Sequence, residues 1–186
     1  MGLISKISQL TDLSPKAIEW LEKNIDQFSC KKNEILLHER KICNHLYYLQ
    51  SGMLTSHYLM DAKEICNWIA IEDDIATSYY SFISRNPSYE VVECIEAAII
   101  QSISYSKIQE MYTLFPETER VGRLILEEYY SRLDERLISI QFKSAKERYR
   151  LLFETRPEII KRAPLGLIAS YLGMTQETLS RVRGEI

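Results

Sequence analysis

The sequence predicts an α+β protein: a β-rich N-terminal region, then a long central helix, then an all-α C-terminal region. Three observations carry this reading. From Phe28 to about Tyr105, short runs rich in Ile, Val, Tyr and Thr ("EILLHER", "HLYYLQSG", "MLTSHYLM", "KEICNWIAI", "YEVVECIEAAIIQSISY") are separated by turn material such as "SG", "MDAK", "IEDD" and "RNPS". That spacing belongs to an all-β barrel or sandwich. From Ile108 to about Phe142 the apolar residues recur at helical intervals instead. Near the C-terminus, "LGLIASYLGMTQETLSRVR" sets a glycine between two short amphipathic pieces.

Taken in order, residues 1–26 read as helical. Ser14 before Pro15 is an N-cap and first-turn pair, and Ile18, Leu21 and Ile25 follow at helical spacing. Within the β-rich region, Ser51-Gly52 between two strand-like runs predicts a hairpin turn, and most of the tyrosines gathered there and in the next helix are packing residues. Pro116 is placed to open a new helix. After it Leu126, Tyr130, Leu133, Leu137 and Ile140 alternate by four and three, an a/d seam flanked by Glu and Arg. Such a stripe can lie on its own domain or pair two subunits; its length, between two different domains, favours pairing. "SAKERYRLLFETRP" predicts another helix, with Ser144 as N-cap, Glu147 at the capping-box position and an end before Pro157. "KRAPLG" reads as a short turn. The expected division is residues 1–112 for the β-rich domain with its N-terminal helices, 113–143 for the central helix and 144–186 for the C-terminal domain.

The chain has 186 residues, 46% hydrophobic and 26% charged, which suits a soluble globular protein. No apolar run is long enough to cross a bilayer, and "MGLISKISQL" lacks a signal-peptide core, so the expectation is a cytoplasmic protein without membrane contact. Cys30, Cys43, Cys66 and Cys94 are widely spaced with no CxxC pair, and His38, His45 and His57 are scattered; buried thiols, no metal and no cofactor are expected. There is no Gly-rich phosphate loop and no nucleophile elbow, and Asp73-Asp74 reads as a turn, so no enzyme is expected. The net charge of −3 hides an asymmetry: residues 143–186 carry nine Lys/Arg against five Glu, or +4, leaving −7 on the remainder. A basic end on an acidic body suits a polyanion partner or a solvated face.

With Leu165 as the first position of a helix-turn-helix, the C-terminal stretch meets each constraint of that motif. Ala169 falls where the two helices come closest, and Gly173 falls in a turn that needs a left-handed backbone. Ile168, Leu172, Met174, Leu179 and Val182 fall on the inward positions, and Thr175 is placed to cap the second helix. That helix would enter a major groove N-terminus first. Its outward polar residues are Gln176, Glu177, Ser180 and Arg181: Arg181 suits a guanine, Glu177 a cytosine amine and Gln176 an adenine. Glu177 and Arg181 are also spaced for a helix salt bridge. Thr175, Ser180 and Arg183 suit phosphates.

A β-rich domain, a long helix and "IASYLGMTQETLSRVR" together closely resemble the Crp/Fnr family of bacterial transcription regulators, over nearly the whole chain. The resemblance implies a cyclic-nucleotide-binding-like jelly roll, a dimerisation helix within Tyr112–Phe142, and base reading by Gln176, Glu177 and Arg181. Family members that bind cyclic AMP carry a Gly-Glu pair followed by an Arg-Ser or Arg-Thr pair. Here, in "DDIATSYYSFISRNPSYEVVE", Thr77-Ser78 and Ser88-Tyr89 stand in those places, with Arg85 in the intervening loop. A buried phosphate without a paired cation is costly, so no cyclic AMP binding is expected. No cysteines cluster before Cys30, which argues against iron–sulphur sensing, while haem sensing would need axial His or Cys ligands. The family's β-hairpin wing is either absent or truncated here.

The function expected is therefore a homodimeric, sequence-specific regulator of double-stranded DNA, with a contact to RNA polymerase and an effector that is unknown or lost. The alternative is a ligand-binding or protein-interaction module that does not read DNA sequence.

Overall fold

A computed structural model of the chain describes residues 2–60 and 63–185. Two helices open it: α1 (Leu3–Leu10) and α2 (Pro15–Asn24). The Ser14 hydroxyl accepts from the Ala17 amide, and Pro15 fills the first turn, where its missing N–H costs nothing.

Eight strands follow: β1 (Asp26–Cys30), β2 (Ile35–Leu37), β3 (His45–Ser51), β4 (Leu54–Met60), β5 (Lys63–Ala70), β6 (Ile75–Ala76), β7 (Glu90–Cys94) and β8 (Ala98–Ser104). They form two antiparallel four-stranded sheets, ordered β1-β8-β3-β6 and β2-β7-β4-β5, packed as a jelly roll. Between the sheets lie Leu49, Leu54, Cys94 and Ile100, all fully buried.

The expected hairpin at Ser51-Gly52 does not form. β3 pairs with β6 and β8, and β4 pairs with β5 and β7, so this turn carries the chain from one sheet to the other. Gly52 has φ +96°, and a Cβ there would stand 2.6 Å from the Ala97 carbonyl oxygen. The "SG" signal marked a turn correctly; which strands it separates is a non-local matter.

Two short helices escaped the sequence pattern. One is α3 (Tyr79–Ser84), inside the β-rich region and capped by Arg85 in a left-handed conformation. α4 (Tyr105–Leu114) follows β8 and is capped by Ser104. Pro116 opens a single 3-10 turn, Pro116–Thr118, rather than a long helix, so the central helix α5 spans Glu119–Phe142 and is broken from α4 at Phe115.

The C-terminal region holds α6 (Ala145–Thr155), α7 (Pro157–Arg162), α8 (Leu165–Tyr171) and α9 (Gln176–Gly184). The capping box at Ser144 and Glu147 is present in both directions. α7 is the second missed helix: Lys161 and Arg162 of the expected "KRAPLG" turn are its last residues. Among the described residues this region is helical throughout, with no strand flanking α8 and α9.

The C-terminal helices share their core with the jelly roll. Tyr149, Leu152, Ile159, Ile168 and Leu179 pack with Met53, Cys66 and Ile69 from the outer face of the β4–β5 sheet. Two polar latches close the same junction. Arg162 is bidentate to Glu72 at 2.7 and 2.9 Å and also bonds Glu96. The Cys66 amide donates to Ser170 Oγ at 2.8 Å.

Candidate nucleic-acid interface and the barrel interior

α8 and α9 form a helix-turn-helix. Ile168, Ala169, Leu172, Leu179 and Val182 are buried and Met174 is half-buried, so the inward positions pack as a unit. Gly173 sits between the helices at φ +64°, a left-handed conformation that a Cβ disfavours. The Met174 amide reaches back to the Ala169 carbonyl at 3.0 Å, closing the turn. Thr175 caps α9: its hydroxyl accepts from the Thr178 amide at 3.2 Å.

This packing leaves Thr175, Gln176, Glu177, Ser180, Arg181 and Arg183 exposed along α9. The Gln176 amide lies back toward α8, its nitrogen 2.6 Å from where a Cβ on Gly166 would stand. Glu177's own backbone amide, and then the Thr175 hydroxyl, hold its carboxyl below the ordinary carboxylate value, so it stays ionised and can only accept hydrogen bonds. Among the described residues no ion pair joins Glu177 to Arg181, and the side chains of Ser180, Arg181 and Arg183 make no hydrogen bond to protein. The side chains of Ser180, Arg181 and Arg183 are thus unspent on the exposed face of α9.

On the central helix, two stripes run side by side. Val121, Ile125, Tyr129, Arg132, Arg136 and Ser139 face the rest of the chain: Val121 is buried, and the Tyr129 ring stacks on Tyr79 of α3 at 3.6 Å. Arg132 bonds Asp74 at 3.2 Å, and Arg136 donates to the Cys66 and Tyr171 carbonyls. The predicted seam residues Leu126, Tyr130, Leu133, Leu137 and Ile140 fall on the other stripe, and all five are exposed, Tyr130 by 69%. The chain therefore packs its own barrel with one stripe and leaves the heptad stripe uncovered.

In the barrel, the positions that the resemblance aligns with a phosphate cassette hold a knot of hydroxyls. Thr77, Ser78 and Ser88 are fully or almost fully buried. Thr77 donates to the His45 carbonyl at 2.9 Å, and the Ser78 and Ser88 hydroxyls lie 3.0 Å apart. Glu90, also buried, accepts from Ser78 at 3.2 Å and from Ser56. The charged side chain among them is thus a carboxylate, not the guanidinium a phosphate would need. Arg85 is engaged elsewhere, donating to the Cys43 and Phe82 carbonyls at 2.8 and 3.1 Å and lying 4.0 Å over the Tyr105 ring. Burial pushes the Tyr58 phenol up to about 12, and Glu90 reinforces this.

One group of possible metal ligands comes together that the sequence did not reveal. His57, Glu64 and Glu93 bring ligand atoms within 4.8 Å of one another across β4, β5 and β7. Only strand pairing unites them, so no spacing in the sequence could signal it. The four cysteines are free and buried; burial pushes the Cys66 thiol up to about 11 and the Cys94 thiol up to about 12.

No protein-family sequence model and no curated protein sequence matches the chain. Solved structures do. FixK2 from Bradyrhizobium japonicum superposes with a TM-score of 0.72 at 18% identity, over 87% of this chain and 83% of that one. A putative transcriptional regulator of the Crp/Fnr family from Eubacterium rectale superposes with a TM-score of 0.72 at 20% identity, over 94% and 83%. The c-di-GMP-responsive global regulator CLP from Xanthomonas campestris gives 0.69 at 16%, over 92% and 91%. Jelly roll, long central helix and helix-turn-helix, superposed over nearly the whole chain, establish that this protein has the fold of the Crp/Fnr regulators.

Proposed function

We propose that the chain is a sequence-specific DNA-binding transcription regulator of the Crp/Fnr type, acting as a cytoplasmic homodimer, with α9 as its reading head. The observation that carries this reading is α9 itself: Leu179 and Val182 lock one face into the core, while Gln176, Glu177, Ser180 and Arg181 stand exposed on the other. Arg181 offers the two-pronged donor that suits a guanine, Glu177 an ionised acceptor for a cytosine amine, and Thr175 and Arg183 donors for phosphates. The likeness to the superposed regulators supports the reading.

The uncovered stripe on α5 supports the dimer. Its heptad spacing suits helix–helix pairing, and the neighbouring stripe already serves the chain's own barrel. A two-fold pair would present two copies of α9 about 34 Å apart to a pseudo-palindromic site. We assign residues 1–112 to sensing, 113–143 to dimerisation and 144–186 to DNA binding, with RNA polymerase as a further partner. The barrel knot supports a sensor that takes no cyclic AMP, because no guanidinium stands among Thr77, Ser78, Ser88 and Glu90 to pair with a phosphate.

Selection from a random duplex library followed by an electrophoretic shift tests the reading. Arg181→Ala is expected to cost about 1–3 kcal/mol of affinity for the selected sequence, with thermal stability unchanged. An equal affinity of wild type and Arg181→Ala for every sequence would contradict it. For the dimer, sedimentation equilibrium of Leu133→Asp/Leu137→Asp should show a monomer where the parent chain sediments as twice that mass. Calorimetric binding of cyclic AMP at micromolar concentration would refute the sensor assignment.

A further inference from the structure

A cleft of about 430 Å³ opens where the central helix meets the C-terminal helices and the barrel. Four guanidinium groups line it, those of Arg132, Arg136, Arg148 and Arg156, against two carboxylates, Asp74 and Glu135. Asp74 is committed, since it accepts from both Arg132 and Arg156. The other two arginines have no acid partner among the described residues. Arg136 donates to the Cys66 and Tyr171 carbonyls at 3.0 and 3.2 Å and lies 5.0 Å over the Tyr171 ring. Arg148 donates to the carbonyls of Lys143, Gly173 and Ile140 at 2.7, 3.4 and 3.5 Å.

Each of these two side chains also keeps a buried Nε that has no hydrogen-bond partner. A buried N–H left unmade is costly, and more so on a charged group. Two cations without an ion-pair partner, lining one cleft and each carrying an unmade buried donor, are the pattern expected of a site that an anion completes. Guanidinium forks match tetrahedral oxyanions with several acceptors. Leu151, Leu152 and Leu172 add an apolar wall beside the arginines, which a bare inorganic anion would not use.

We propose that this cleft binds a small phosphorylated metabolite, with Arg136 and Arg148 holding its phosphate and the leucine wall taking its organic part. The two arginines come from α5 and α6, and Arg148 already touches the Gly173 carbonyl in the helix-turn-helix turn, so an occupant would tie the central helix to the reading head.

Calorimetry on the full chain tests this without reference to DNA, so binding succeeds or fails whether or not the DNA reading holds. The probes are adenosine 5′-monophosphate, adenosine and inorganic phosphate. The monophosphate is expected to bind at least about tenfold more tightly than adenosine, because a charge-assisted hydrogen bond is worth more than a neutral one. Inorganic phosphate binding more weakly than the ester would identify the ester as the ligand; phosphate binding equally well would identify the free ion and refute the role of the apolar wall. Arg136→Ala and Arg148→Ala should each weaken the monophosphate about tenfold or more. Because both arginines also hold carbonyls, Thr155→Glu is the companion variant: it keeps every arginine contact, puts a carboxylate beside the cleft, and should weaken binding similarly without lowering the melting temperature. No heat from either phosphate-bearing probe up to about 10 mM, or affinity unchanged in all three variants, would overturn the proposal. Displacement of the monophosphate by duplex DNA of any sequence would also overturn it, by assigning the cleft to the DNA backbone.

Discussion

The polar residues of the barrel knot and those of α9 meet opposite fates. Ser78, Ser88 and Glu90 are buried and bonded to one another. Ser180, Arg181 and Arg183 are exposed and, among the described residues, bonded to nothing in the protein. Residue type alone does not separate the two sets, since both contain serine. A polar side chain whose hydrogen bonds are satisfied inside the fold contributes to stability; one left unsatisfied on a rigid, capped helix is available for recognition. One end of the chain has converted its polar groups into structure, while the other has kept them free.

Five substitutions break or sharpen this contrast. The largest effect is expected for Leu179→Ala, which removes a fully buried side chain behind the exposed face of α9. It should cost about 2–5 kcal/mol of stability, read as a lower denaturation midpoint, and should weaken DNA binding through loss of the helix rather than of a base contact. Next comes the same change made at both ends. Ser88→Ala leaves the buried Glu90 amide, now bonded at 2.9 Å, without its acceptor and should cost about 1–3 kcal/mol. Ser180→Ala should stay within about 0.5 kcal/mol in the same urea titration; equal losses at both sites would erase the distinction.

Gly173→Ala follows, at about 1–2 kcal/mol for the left-handed backbone. Space is not the issue, as the nearest atom to an added Cβ is Ile140 Cγ1 at 3.8 Å. A thermal shift of that size with retained sequence preference in a binding assay would show strain alone. The smallest effect concerns the junction. The hydrogen bond from Arg162 holds the Glu72 carboxyl below its ordinary value of 4.5. A depressed folded-state value means that the stabilisation is complete above that ordinary value and is lost as the pH falls through the lowered one. Stability measured from pH 6 down to pH 3, taken as an ordinary carboxylate titration window, should therefore fall less steeply for Glu72→Gln than for the parent chain. Parallel curves would show that the latch carries no pH dependence.

What was legible in the sequence was local. Ser14-Pro15, the capping box of Ser144 and Glu147, Gly173 and the inward apolar positions of α8 and α9 each depend on neighbours within a turn or two of helix, and spacing reports them directly. The seam on α5 was legible for the same reason. Strand pairing was not: the Ser51-Gly52 turn and the gathering of His57, Glu64 and Glu93 depend on which distant strands meet. α3 and α7 were missed because six-residue helices are too short to show a period. The cleft was the least legible feature, because Arg132 and Arg136 on α5, Arg148 on α6 and Arg156 just after it appear in the sequence only as scattered charges.

By itself, then, the sequence determined the helix-turn-helix and the uncovered heptad stripe, since helical periodicity and capping are properties of short segments. Tertiary structure alone decided that the barrel's hydroxyls bond each other around Glu90. It also decided that the C-terminal helices borrow the outer face of a sheet for their core, and that two arginines without an ion-pair partner among the described residues line one cleft. These outcomes rest on contacts between segments many residues apart, where burial and pairing, not local propensity, set the energy.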